Sequence, residues 1–119
     1  MKFYKNKETL VYEICNDNSL ENNDNYVQVK VGSVDAAVEK HVPVYSKNNE
    51  RIDVQVGSIL HPMEEEHYIM WIVLVKDNVV IDRVNLKPGD QPKAEFNYIA
   101  NSEIYACCNL HSVWKCVVD

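Results

Sequence analysis

From His41 onward the chain alternates short apolar and polar positions between turn signals, and no other feature limits its fold as strongly. HVPVY (41–45) leads through a KNNE turn into RIDVQVG (51–57), where Ile52, Val54 and Val56 share one face of a strand. The run Ile69 to Val75 is apolar on both faces and reads as a central strand covered from two sides. NVVIDRVNL, the Pro-Gly turn Lys87 to Pro92, AEFNYIA, EIYACCN and SVWKCVV follow. Short strands at regular turn spacing predict an all-β sandwich. Helix is expected only as one short turn in VDAAVEKH (34–41), ended by Pro43.

The N-terminal third has a different texture. An apolar LVYEI run, the polar stretch NDNSLENNDN and the alternating segment YVQVKV predict two strands joined by a loop. Val27, Val29 and Val31 would fall on the buried face of the second. Residues 1–34 are therefore set apart as a small β-rich extension, with the main sandwich expected over 35–119. A chain of 119 residues can bury a core of its own without disulfides.

Charge and hydropathy exclude several classes of function. A formal net charge of -6 supplies no basic excess for a phosphate backbone, so no nucleic-acid partner is expected. No window approaches the roughly 20 apolar residues that span a bilayer, and MKFYKNKETL lacks the apolar run of a secretion signal. No membrane association and a cytoplasmic location are expected. There Cys15, Cys107, Cys108 and Cys116 would remain thiols.

The chemistry-bearing residues are few. All four histidines lie in short motifs: His41 in EKHVPV, His61 and His67 in HPMEEEHYIMW, and His111 in CNLHSVWK, three positions after Cys108. Cys107 and Cys108 are adjacent, so on a strand only one can face a given site, and the spacing to His111 favours Cys108. Any one of these histidines alone is more simply a surface or hydrogen-bonded residue; their joint arrangement is what predicts a shared metal site. Four imidazoles and a thiolate are one donor more than a closed zinc site needs, whereas an iron that changes oxidation state can use five ligands and an open position. Lys40 and Glu39 directly precede His41. Lys40 could guide an anion inward and Glu39 could act as a replaceable sixth ligand, although an adjacent Glu-Lys pair is by default a solvated couple worth little. The glutamates 64–66 read as an exposed loop, and Tyr68, Trp71 and Trp114 as packing around the site. The amides of Leu110 and His111 are candidates for hydrogen bonds to the Cys108 sulfur.

Taken together, EKHVPV, HPM followed by HYI-x-WI, LKPGDQPKAEF and CNLHSVWK resemble the superoxide reductases, the group of desulfoferrodoxins and neelaredoxins. The likeness runs from Val34 to the end, with all four motifs in family order. It implies an immunoglobulin-like β-sandwich holding one mononuclear iron, with His41, His61, His67 and His111 as equatorial ligands and Cys108 as the axial one. It also implies one-electron reduction of superoxide to hydrogen peroxide, with Lys40 attracting superoxide and Glu39 binding the ferric ion, and rubredoxin or a similar carrier as electron donor. A homo-oligomer is left open. Two features depart from the family pattern. The N-terminal segment keeps the opening residues of a rubredoxin-like domain but supplies only Cys15, so no second iron is expected and 1–34 resembles a desulforedoxin-like remnant. Ser112 stands where the family commonly has glycine, which matters if that position needs positive φ. The competing readings are a blue-copper-like electron carrier, which lacks its methionine after the last histidine here, and a non-catalytic metal-binding sandwich.

Overall fold

The computed structural model describes residues 1–119 and contains ten strands and one helical turn. β1 (Lys2–Asn6), β2 (Tyr12–Cys15) and β3 (Tyr26–Val29) form an antiparallel sheet in the order β2-β1-β3. The helical turn α1 (Val38–His41) leads into β4 (Pro43–Asn48) and β5 (Arg51–Val56), followed by β6 (Ile69–Lys76) and β7 (Val79–Asn85). β8 (Lys93–Asn97), β9 (Glu103–Cys108) and β10 (Ser112–Val117) complete the chain. A sheet ordered β4-β5-β8 faces one ordered β10-β9-β6-β7, the antiparallel sandwich expected from the alternation. No helix is long and apolar enough to cross a membrane.

The four-stranded sheet is buried on both faces, which is why β6 is continuously apolar. On one face Ile72 and Leu74 of β6 and Ile104, Ala106 and Cys108 of β9 pack against Ile52, Val54, Val56 and Phe96. On the other, Trp71, Val73 and Val75 with Tyr105, Cys107 and Val113 receive Phe3 and Tyr12 from the N-terminal sheet. Burying one such side chain contributes about 1.5–3 kcal/mol, so these two residues alone anchor the extension firmly. A register shift between Ile69 and Trp71 changes the parity of β6, so Ile69 joins Ile72 on the sandwich face three residues away.

The N-terminal sheet departs from the sequence expectation in two respects. Its central strand is β1, in MKFYKN, where no strand was expected; Phe3 and Tyr4 are both buried there. Val27 is 45% exposed, whereas Val29 is half-buried against the second core. The register explains the difference: Val29 lies opposite Phe3, which reaches the core, while Val27 lies opposite Lys5, beyond it.

Candidate metal centre

Four loops at one end of the sandwich carry the site. His41 ends α1, because the following Val42 precedes no further helical residue: Pro43 pushes Val42 into extended backbone (φ -71, ψ 120). His61 follows β5 and is held by its own N–H donating to the Val56 carbonyl at 2.8 Å. His67 closes a tight turn in which Glu64 and His67 exchange backbone hydrogen bonds of 2.9 and 3.1 Å, leaving glutamates 64–66 exposed at the tip. Cys108 ends β9 and pairs with Ser112 at the start of β10, so Asn109, Leu110 and His111 form the connecting loop. Ser112 adopts φ 68 and its buried hydroxyl has no hydrogen-bond partner.

The four imidazoles form a closed ring. Successive centroids in the order His41, His61, His67, His111 and back to His41 are 4.7, 4.6, 5.1 and 4.8 Å apart. Each ring stands nearly perpendicular to the next, at 78–88°, whereas His41 and His67 face each other across the ring at 6.3 Å and 30°. The ligand atoms of His41, His61, His67 and Cys108 lie within 4.8 Å of one another. His111 joins them through Nδ1, 3.0 Å from His41 Nε2 and 3.7 Å from Cys108 Sγ.

Hydrogen bonds behind the ring determine where its lone pairs point. His41 Nδ1 donates to the Ala37 carbonyl and His61 Nδ1 to the Pro62 carbonyl, each at 2.7 Å. A carbonyl only accepts, so both protons sit on Nδ1 and both Nε2 lone pairs face inward. His61 Nε2 and His67 Nε2 are buried without any partner. Burial lowers the pKa of all three, of His61 to about 4, and the positive charge of Lys40 contributes at His41 and His67. Burial raises the pKa of the Cys108 thiol, while the backbone amides of Leu110 and His111 oppose the rise. Buried, unpartnered, neutral imidazole nitrogens beside a thiol that needs a counter-charge are the surroundings a divalent metal would satisfy.

Second contacts fasten the ligand loops together. Trp114 lies 5.1 Å from the His41 ring and donates its indole N–H to the His111 carbonyl at 2.8 Å. Asn109, which the sequence reading passed over, ties two loops: its Oδ1 accepts from the Tyr68 amide at 2.9 Å and its Nδ2 donates to the Glu66 carbonyl at 3.0 Å. Glu39 and Lys40 are exposed, form no salt bridge, and stand outside the cluster of donor atoms. Met63, the one thioether of the HPM run, accepts from the Ile69 amide at 3.4 Å and packs on the sandwich core, which leaves a blue-copper arrangement without its methionine.

Comparison with known proteins agrees with this geometry. The desulfoferrodoxin family model matches residues 33–117. The chain belongs to the desulfoferrodoxin family. Desulfoferrodoxins of Clostridium acetobutylicum and Nitratidesulfovibrio vulgaris are 46% and 50% identical to it over 88 residues. These alignments cover 74% and 73% of this chain and 70% and 69% of the relatives. Among solved structures, the superoxide reductase from Treponema pallidum superposes with a TM-score of 0.74 at 31% identity, covering 97% of both chains. A superoxide reductase from Giardia intestinalis gives 0.59 at 30% identity, covering 68% of this chain and 98% of its own. The family match begins at residue 33, after the N-terminal sheet, while the Treponema pallidum likeness includes it.

Proposed function

We propose that this desulfoferrodoxin-family chain is a superoxide reductase, an oxidoreductase that reduces superoxide by one electron and, with two protons, forms hydrogen peroxide. The observation that carries the reading is the closed ring of four imidazoles with two buried, unpartnered Nε2 atoms beside a thiol. His41, His61 and His67 through Nε2, His111 through Nδ1 and Cys108 through Sγ would hold the family's mononuclear iron. When bound, that iron supplies the electron by passing from ferrous to ferric.

The protein's own residues do the rest. Ala37 and Pro62 keep the His41 and His61 protons on Nδ1, leaving Nε2 free to ligate. Ligation through His111 Nδ1 would move the proton it now donates to His41 Nε2 onto its own Nε2, and the proton that metal uptake would release is that of the Cys108 thiol. The amides of Leu110 and His111 stabilise negative charge on the Cys108 sulfur. The sandwich core keeps water from that sulfur, whose residue is fully buried. Lys40 is the cation that would draw superoxide in and orient the proton-delivering water, and Glu39 would be the replaceable sixth ligand of the bound iron. Their support is position: both are exposed in the turn that carries His41, and neither is consumed by an ion pair.

We assign 35–119 as the iron-binding sandwich and 1–34 as a desulforedoxin-like remnant whose single thiol, Cys15, falls short of a rubredoxin-like centre. The four free thiols support a reducing, cytoplasmic setting. Rubredoxin or a similar carrier is the electron donor we favour. A groove of about 660 Å³ beside the Cys108 loop, lined by exposed Leu10, Val11 and Leu110, offers it an apolar contact. The deciding experiment reads metal content and visible spectrum on one anaerobic sample, before and after superoxide. A single iron per chain, colourless when reduced and gaining a thiolate-to-iron band as superoxide disappears, is the expected result. Iron that superoxide fails to oxidise refutes the activity, and a second iron refutes the reading of residues 1–34.

A further inference from the structure

The turn carrying Glu39, Lys40 and His41 rests on one residue of the β5–His61 connection. Gly57 is buried at φ +64, and a Cβ built on it would overlap the Glu39 carbonyl oxygen. It would also fall 2.6 Å from Lys40 Cα and 2.7 Å from the Lys40 carbonyl carbon. These neighbours are backbone, so no side chain can swing aside to make room. The next two residues fasten the same turn: the Ile59 amide donates to the Glu39 carbonyl at 3.0 Å and the Ser58 hydroxyl does so at 3.3 Å. Gln55 Nε2 in turn holds the Gly57 carbonyl at 2.8 Å. His41 lies two residues beyond this contact on one side and His61 four residues beyond it on the other, and their rings meet edge-on at 4.7 Å.

We propose that Gly57 is a positioning residue for the metal centre. Its missing side chain lets the Glu39–His41 turn seat on the end of β5, and that seating sets His41 and Lys40 relative to His61. The inference rests on reading these histidines as metal ligands. Glycine at this point meets two requirements at once, left-handed backbone and close approach, and the second is the functional one. Gly89 separates them: it too is left-handed, at φ +92, but nothing lies within 4 Å of its would-be Cβ.

The test titrates metal-free, full-length chains with cobalt(II). Gly57→Ala and Gly57→Asn should each weaken cobalt binding by about tenfold, the scale seen when support behind a ligand is lost. Asparagine tolerates positive φ, so it should rescue little if the Cβ contact is what matters. Gly89→Ala should bind like the parent. Loaded Gly57 variants should also show a weaker salt dependence of superoxide capture than the parent, because Lys40 is displaced with the turn. Cobalt affinity unchanged in Gly57→Ala, or reduced equally in Gly89→Ala, overturns the proposal, as does full recovery in Gly57→Asn. Amide exchange in the parent chain decides the matter even if the variants fail to fold. The Ile59 amide should be protected by the Glu39 carbonyl, and exchange at the unprotected rate means the turn is not seated. The cobalt comparison is independent of turnover: a parent chain that binds cobalt but leaves superoxide unreacted refutes the activity alone.

Discussion

Replacing Ser112 by glycine should stabilise the protein. Two costs meet at this residue. Its φ of 68 puts a non-glycine side chain in the left-handed region, which costs about 1–2 kcal/mol. Its hydroxyl is buried and unpartnered, which costs about 1–3 kcal/mol. Tyr12 faces Ser112 from the N-terminal sheet, near enough for the two hydroxyls to influence each other, yet they form no hydrogen bond of normal geometry. Glycine gives back about 0.5–1 kcal/mol through its freer unfolded state, leaving a net gain of about 2 kcal/mol. With about 2.1 cal/mol/K of unfolding entropy per residue, a chain of 119 residues should melt on the order of 8 °C higher. The assay is thermal and urea unfolding of metal-free Ser112→Gly against the parent, with Tyr12→Phe and the double variant completing a cycle. A variant as stable as the parent, or less stable, refutes the reasoning. Coupling between the two sites above about 0.5 kcal/mol would locate the error in the Tyr12–Ser112 pair, because the hydroxyls would then be bonded after all.

Three further outcomes are expected. Cys108→Ser should abolish the ferric thiolate absorption of the iron-loaded protein; an unchanged visible spectrum removes Cys108 from the ligands. Lys40→Met should slow superoxide capture on the order of threefold to tenfold at low salt and less at high salt, and equal slowing in stopped-flow at both ionic strengths counts against steering. In the metal-free protein the buried histidines stay neutral, His61 down to about pH 4, while the unfolded chain takes up protons from about pH 6.5. The unfolded state therefore binds more protons over that interval. The histidine contribution to urea stability should be full above it, fall as the pH drops through it, and be spent below about 4; a flat profile over the interval contradicts the neutral, buried state.

The parts of the site that could be read from the sequence are those governed by local spacing. Parity along β9 separates the adjacent thiols: Cys108 faces the sandwich core and Cys107 the N-terminal sheet, as alternation requires. Pro43 marks the end of α1, and the short apolar run with no polar face marks β6 as doubly covered. The condition attached to Ser112, a position that needs positive φ, is met at φ 68. What escaped notice depends on partners far along the chain. Asn109 acts through the Glu66 carbonyl, 43 residues away, and Gly57 through Glu39. Neither has a local pattern, since a loop asparagine and a strand-end glycine are common turn residues. β1 escaped for a related reason. Its five residues mix lysine with aromatics, and only the register with β2 and β3 turns Phe3 toward Trp71 and Tyr105.

That register gives the N-terminal sheet a role independent of any metal of its own. Trp71, Val73, Val75, Tyr105, Cys107 and Val113 form one face of the sheet whose other face carries Cys108. Without Phe3 and Tyr12 above it, that face would be a contiguous apolar patch of the kind monomeric proteins seldom expose. The cover also reaches the ligand loop directly, because the Gly32 amide donates to the Val113 carbonyl at 2.8 Å, two residues after His111. This covering role needs Phe3 and Tyr12, not a set of metal-binding cysteines. The same packing that closes the second core therefore braces β10 at Val113, next to the Cys108–Ser112 pair from which the His111 loop departs.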